Sequence, residues 1–364
     1  MRFLRCSDSD NMAMESAPSK LNEAEFEAIA INSEPCLSQS IDLQNWMRDL
    51  PEVLKNVPFI YLAIPGSHDS MTYSIDRSSG LAPDAEPALK RLYPLFRGSI
   101  IRWTVTQALS AYEQLQIGIR YFDLRLATKQ GTQNFYFTHG LYASEITEPL
   151  KEINRFVEDH PDEVVILDFQ HFYSFTPEDH HRLIFNIHNI FGKKFVPRTL
   201  NPGGITLNSM KRLGQQIIVV YRNEFMFASA EFWPSSFLPS PWPRQDSVSG
   251  LLGFLRRVRR RPGAGFVHQA VLTPTPTFIV LRFISDLRTK CAIPIKNEAL
   301  PRIAEMTPGI PRQDVQNTVN VVIADFVDLD NAVFPRTVIN MNSKILNEIE
   351  LLGNDEYRLS ENYG

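Results

Sequence analysis

Residues 163–170 read EVVILDFQ. Val164, Val165, Ile166 and Leu167 follow one another without alternation before Asp168 breaks the run. A strand with one wet face alternates apolar and polar residues. A strand that stays apolar at every position is covered on both faces, as in a parallel sheet flanked by helices. The neighbouring sequence fits that reading. SEITEPLKEINRFVEDHP (144–161) has helical spacing, with Ser144 as the expected N-cap and acidic residues in the first turn. TPEDHHRLIFNIHNIFG (176–192) is a second helix, capped by Thr176, with Pro177 at its first position and Gly192 as its stop. A helical TLNSMKRLG (206–214) then leads into another apolar run, QIIVVYR (216–222).

The same grammar extends over the chain. FIYLAI (59–64), GIRYFDLRLA (118–127), NFYFTH (134–139), FVHQAVL (266–272) and NVVIADFV (320–327) are further strand candidates, and FPRTVINMNSKILNEIELLG (334–353) is a further helical stretch. Strands alternating with helices predict βαβ units. The expected fold class is therefore α/β. Seven strand candidates fit a distorted, incompletely closed TIM-type (β/α) barrel better than the alternative, a doubly wound open sheet. The barrel is expected over 41–352. An acidic tail precedes it at 1–40, where Asp8, Asp10, Glu15, Glu23, Glu25, Glu27 and Glu34 face only Lys20 among the charges of 7–36, and a solvated tail follows at 353–364. A short helix is expected within the first tail, near 22–30.

The totals exclude several classes. A net charge of −4 over 364 residues gives no basic field for nucleic acid. No stretch approaches a membrane span and the N-terminus has no signal-peptide core, so a cytoplasmic protein is expected. Cys6, Cys36 and Cys291 lie far apart and predict neither a disulfide framework nor a zinc site.

In a barrel of parallel strands, chemistry collects at the C-terminal strand ends. The polar residues there are His68 and Asp69 after the first run, Asp123 and Arg125 within the second, His139 at the end of the third, Asp168 and Gln170 in the fourth, Arg222 in the fifth and Asp325 in the last. Each has a plain structural alternative: a turn, an ion pair, a helix cap. Their recurrence at strand ends favours one shared site. Of the other histidines, His180, His181 and His188 lack the i, i+4 spacing of a helical metal pair, His160 suits a helix C-terminus, His268 belongs inside a strand, and His171 stands within reach of the rim.

LAIPGSHDSMTY, GIRYFDLRLA, FTHGLYA, EVVILDFQHFY, VVYRNE and VVIADFV together resemble the X domain of phosphatidylinositol-specific phospholipase C, in particular small eukaryotic proteins that carry an X domain alone. The resemblance runs in order from about 46 to 345. It implies a phosphoric diester hydrolase that cleaves phosphatidylinositol-type lipids to diacylglycerol and an inositol cyclic phosphate. It also implies roles. His68 matches the general base, Asp325 the carboxylate that orients it, His139 the general acid and Asp69 the partner of that acid. Arg125 matches the phosphate-neutralising arginine, and Arg222 an inositol-contacting one. Asp123, Gln170, Asp168 and Trp242 complete the expected substrate-binding set. The large eukaryotic members bind calcium here; Arg125 and Gln170 stand where acidic ligands are expected, so no metal or other cofactor is expected.

A lipid substrate implies peripheral membrane contact. FWPSSFLPSPW (232–242) could supply it through Phe232, Trp233, Phe237, Leu238 and Trp242, or could be a lid packed on the barrel. RRVRRR (256–261) could touch anionic lipid or be a solvated helix end. Two other activities compete: a barrel phosphodiesterase acting on glycerophosphodiesters, and a catalytically silent phosphoinositide-binding module.

Overall fold

The computed structural model describes residues 41–311 and 318–352. The expected tails at 1–40 and 353–364, with the helix near 22–30, lie outside the described residues. Eight strands form one sheet: β1 (Ile64–Ser67), β2 (Tyr121–Thr128), β3 (Phe135–His139), β4 (Leu141–Glu145), β5 (Val165–Tyr173), β6 (Ile217–Tyr221), β7 (Val267–Ala270) and β8 (Val321–Ala324). Six of them, in the order β6-β5-β2-β1-β8-β7, are parallel to their neighbours. β6 and β7 do not pair, so the barrel is α/β but not closed by strand hydrogen bonds.

The unbroken apolar runs are explained by two separate cores. Tyr121, Ile166, Ile218, Val220, Val267, Val321 and Ile323 pack together inside the barrel with Trp46, Leu50 and Leu54, which plug its lower end. Phe122, Leu124, Val165, Leu167, Ile217 and Val219 face the opposite way, against Ile153, Phe156, Leu183 and Ile187 of the helices Thr147–Asp159 and Pro177–Phe191. Alternate residues thus serve different cores. At the lower end Arg120 and Glu163, both fully buried, pair at 2.8 Å, and Arg120 also donates to the Gln44 carbonyl.

Four sequence expectations need correction, and one open alternative is decided. The first run, 59–64, is not the first strand. Phe59–Tyr61 is a 3-10 turn, and β1 is Ile-Pro-Gly-Ser itself. Pro65 is tolerated there because its carbonyl takes the Arg120 amide just below the first β1–β2 register pair, Gly66 with Tyr121, where a missing N–H breaks no ladder bond. Gly66 is required, since a Cβ would lie 2.7 Å from Tyr121 Cδ1 and 2.9 Å from Ile323 Cγ2.

Second, NFYFTH is not a barrel strand. β3 runs antiparallel to β2 and to β4, which no apolar pattern announced, and Gly140 (φ 69°) makes the turn between them. Third, Ser144 therefore lies in β4, and the helix that follows starts at Thr147 without a side-chain cap. Fourth, 334–353 is divided between two helices, Leu329–Asn340 and Ser343–Leu352, the first opening on left-handed backbone at Asp330–Ala332. The proline-rich segment, for which the sequence leaves membrane contact and a lid on the barrel both open, takes the lid's place and fills the open seam of the barrel. Trp233 N–H donates to Val219 O and Tyr221 N–H to Trp233 O on one side; Gly265 N–H donates to Phe237 O and Val267 N–H to Pro239 O on the other. Phe232, Trp233, Phe237 and Leu238 are buried, so they are not membrane anchors; only Trp242, 52% exposed, stays outside. In the basic cluster Arg260 is also buried, bonded to the carbonyls of Ala264, Gly309 and Ile60.

Candidate active site

Residues that face the barrel interior change from apolar to polar at its mouth. On β1 the inward series is Ile64, Gly66, His68; on β2, Tyr121, Asp123, Arg125; on β5, Ile166, Asp168, Gln170. On β6 it is Ile218, Val220, Arg222; on β7, Val267, Gln269; on β8, Val321, Ile323, Asp325. Parity alone therefore brings the expected residues of five strands, β1, β2, β5, β6 and β8, to one opening, with Gln269 of β7 beside them. Asp69 breaks the alternation. Its backbone is left-handed (φ 40°), a conformation aspartate tolerates better than most residues, and this lets it face the mouth beside His68. Pro65 and Gly66 lie within β1, and the chain turns at Asp69.

His68 Nδ1 lies 2.8 Å from Asp325 Oδ1. Its Nε2 lies 3.1 Å from Arg125 Nη2 and 3.4 Å from Asp69 Oδ2. His139, carried by the β3–β4 turn, bonds the Thr104 carbonyl through Nδ1 at 2.7 Å and presents Nε2 to the same Asp69 Oδ2 at 3.4 Å. The two rings are 6.4 Å apart. Asp69 thus serves both imidazoles. Arg125 holds the carboxylates: Nε is 2.7 Å from Asp69 Oδ1 and Nη2 3.0 Å from Asp123 Oδ2. The approach to Asp69 is too bent for a hydrogen bond, so the pair is ionic and neither Asp69 oxygen accepts a hydrogen bond among the described residues.

Burial disfavours a charged His68, but the Asp69 and Asp325 charges and the Asp325 hydrogen bond outweigh it, and the imidazole is pushed up to about 9. Burial also acts against the charge on Asp123, and there Arg125 and His68 prevail and hold the carboxyl below its usual range.

A second cluster adjoins the first. Arg222 binds Asp168 through Nε at 2.8 Å and Nη2 at 2.7 Å, and Asp168 also accepts from Tyr121 Oη and Gln170 Nε2. Asp168 is fully buried and saturated, so it acts here by fixing Arg222 and Tyr121. Trp242 stands on the β7 side, its indole N–H on Thr273 Oγ1.

The residues that brace the site were not singled out in the sequence. Thr106 Oγ1 donates to the His68 and Asp69 carbonyls; Gln107 Nε2 donates to those of His68 and Ala324, and its Oε1 accepts from Val327 N–H. Asp84 accepts from Thr138 Oγ1 and Gly140 N–H, one on each side of His139, both at 2.6 Å. Gln269, bonded to Ser240, could have been found by extending strand parity to β7. Thr106, Gln107 and Asp84 lie in loops and carry no periodic signal. Of the remaining histidines, His160 Nδ1 bonds the Phe156 carbonyl at a helix end, His180 is buried on Tyr221 Oη, and His268, pressed by burial and by Arg260 to about 3, is neutral.

His68, Asp69 and Asp123 could together offer a cation three ligand atoms. The Arg125 guanidinium bridges the two carboxylates of that set, so a cation would meet a fixed positive charge and only two carboxylates. A calcium ion, which takes six to eight oxygens, does not fit these residues.

The family model described as "Phosphatidylinositol-specific phospholipase C, X domain" matches residues 102–223. The chain is 37% identical over 305 residues to the mouse PI-PLC X domain-containing protein 2, covering 82% of this chain and 87% of that one. It is 34% identical over 316 residues to the human PI-PLC X domain-containing protein 3, covering 83% and 94%. In fold it is similar to the phosphatidylinositol-specific phospholipases C of Staphylococcus aureus (TM-score 0.55, 16% identity, 83% of this chain and 97% of that one) and Listeria monocytogenes (TM-score 0.53, 18% identity, 83% and 98%).

Proposed function

This chain belongs to the PI-PLC X domain-containing proteins, and from that premise we propose that it is a phosphoric diester hydrolase cleaving phosphatidylinositol-type lipids. One observation carries the reading: two imidazoles aim their Nε2 atoms at one carboxylate oxygen beside a guanidinium. His68 Nε2 takes the proton of the inositol 2-hydroxyl, and Asp325 holds the ring through Nδ1 and stabilises its cation. The freed oxygen bonds to phosphorus, and the bond from phosphorus to the diacylglycerol oxygen breaks. His139 gives that oxygen a proton from Nε2. The products are diacylglycerol and an inositol cyclic phosphate. Arg125 neutralises charge growing on the phosphate oxygens, and Arg222, held by Asp168, contacts the inositol ring.

No metal takes part in these steps, because Arg125 supplies the positive charge. Activity is therefore expected to persist in chelator. The deciding assay measures diacylglycerol release from phosphatidylinositol vesicles. His68→Ala and His139→Ala should each reduce turnover by about 10²- to 10⁴-fold with unchanged circular dichroism. Vesicle binding by the unaltered protein with no turnover of any phosphoinositide would refute it.

A further inference from the structure

One histidine at the mouth has no place in the steps above. Period two along β5 carries Ile166, Asp168 and Gln170 to the barrel interior, and continued alternation would send Phe172 inward and His171 outward. The structure does the reverse. Asp123 pairs with Asp168 and Leu124 with Phe169, but Arg125 pairs with His171 and Ala127 with Tyr173, so β5 holds one residue more than β2, at Gln170. Residues paired across parallel strands share a face, and His171 therefore stands on the face of Arg125. Phe172 marks the same change of phase. Its ring lies 4.4 Å from that of Tyr221 and 4.9 Å from that of His180, in the outer core that also receives Phe169. Bulges are rare between parallel strands and gather beside active sites, where they redirect a side chain.

Gln170 is turned down into the barrel. Its amide donates to Tyr121 Oη and to Asp168 Oδ2, at 3.1 and 3.2 Å. The β5 side chain that looks out of the mouth is His171, which is exposed. β6 ends beside it, with Arg222 N–H on the Phe169 carbonyl. The His171 ring stacks on Tyr173, with centroids 5.7 Å apart and planes at 28°, and its nitrogens form no hydrogen bond among the described residues. Partial burial and then the Arg125 charge disfavour its cation; Asp123 and Asp69 oppose them, and Arg222 adds to them. The imidazole is held below its usual range and is uncharged at neutral pH. A neutral imidazole has one donor nitrogen and one acceptor nitrogen. A hydroxyl also donates and accepts, whereas an ionised phosphate oxygen only accepts and is already met by Arg125.

We infer that His171, turned inward by the bulge at Gln170, is a further substrate-binding residue of this site and holds a ring hydroxyl of the headgroup beside the reacting phosphodiester. The inference deepens the phosphodiesterase reading and rests on it for the identity of the headgroup. Tyr173 backs the imidazole and fixes its tilt. The hydrogen bond is made alike in the bound substrate and in the transition state, so it lowers KM and leaves kcat nearly unmoved.

The test uses the full chain in two arms: kinetics on phosphatidylinositol in detergent micelles, and calorimetric binding of myo-inositol 1-phosphate, which has no diester to cleave. His171→Ala and His171→Phe should each raise KM by about three- to ten-fold, keep kcat within about two-fold, and weaken myo-inositol 1-phosphate by the same factor as KM, with unchanged circular dichroism. Phenylalanine keeps a ring against Tyr173 and loses both nitrogens, so a packing role would spare that variant. His171→Gln, which keeps a donor and an acceptor, should recover part of the affinity. An unmoved KM in His171→Phe, or a fall in kcat with KM unmoved, overturns the inference. So does equal binding of myo-inositol 1-phosphate by the unaltered chain and all three variants. Binding that the variants lose, in a chain that cleaves no phosphodiester, would retain His171 as a headgroup residue and refute the catalytic reading. An unaltered chain that neither binds nor cleaves overturns both.

Discussion

His68 offers one nitrogen to two partners, and its proton decides between them. Protonated, Nε2–H faces Asp69 Oδ2; bare, Nε2 can accept from Arg125 Nη2. Because Asp69 and Asp325 lift the imidazole to about 9, the base of the free site is charged at neutrality. kcat/KM is therefore expected to climb with pH toward about 9. Asp325→Asn removes one of the charges that lift it, so the acid limb should move to lower pH while the rate falls; an unmoved limb would count against His68 as base. Stability follows the same proton. The folded value lies above the unfolded one of about 6.5, so the contribution is complete below about 6.5 and disappears as pH rises through about 9. The melting-temperature gap between the unaltered chain and His68→Gln should narrow over that interval. At Arg125, a lysine cannot span Asp69 and Asp123 with one planar group. Arg125→Lys should lose about 10²-fold or more in kcat and lower the melting temperature.

At the scale of elements, the mouth is held by loops rather than strands. Gln107 ties the end of β1 to the end of β8, which sets the distance between His68 and Asp325. Gln107→Leu leaves Val327 N–H and two carbonyls without this partner, at a cost of about 2–4 kcal/mol, measurable by urea unfolding. The drop in kcat should exceed that in Gln107→Glu, which keeps the acceptor for Val327. Unbroken apolar runs exposed the strands because each is covered on both faces, alternate residues entering different cores. They could not distinguish a parallel strand from β3, since hairpin pairing depends on Gly140 and on partners outside the run. Ser144 and the acids after it carry a helix-start signal, but β4 pairs with β3 on either side of it and the Ser74 hydroxyl takes its amide.

For the whole molecule, the open seam is the distinguishing feature. Trp233, 1% exposed, fills it and donates its indole N–H to the Val196 carbonyl. Trp233→Ala should destabilise by about 3–5 kcal/mol in chemical denaturation, without the selective loss of vesicle binding that a membrane anchor would show. What the sequence by itself determined is the set of apolar runs and the polar residues that end them: His68, Asp123, Arg125, Asp168, Arg222 and Asp325. These are legible because apolar character and strand period are local properties of the sequence. Only the tertiary structure decided that Asp69 faces two histidines, that an aromatic proline-rich segment fills the seam of the barrel, and that Leu95 and Ile284 are left exposed. The reason is physical. Whether an apolar side chain is buried depends on which distant segment covers it, and β6 and β7 leave a gap that residues 232–239 fill from both sides, while Leu95 at the kink of the helix after β1 stays exposed.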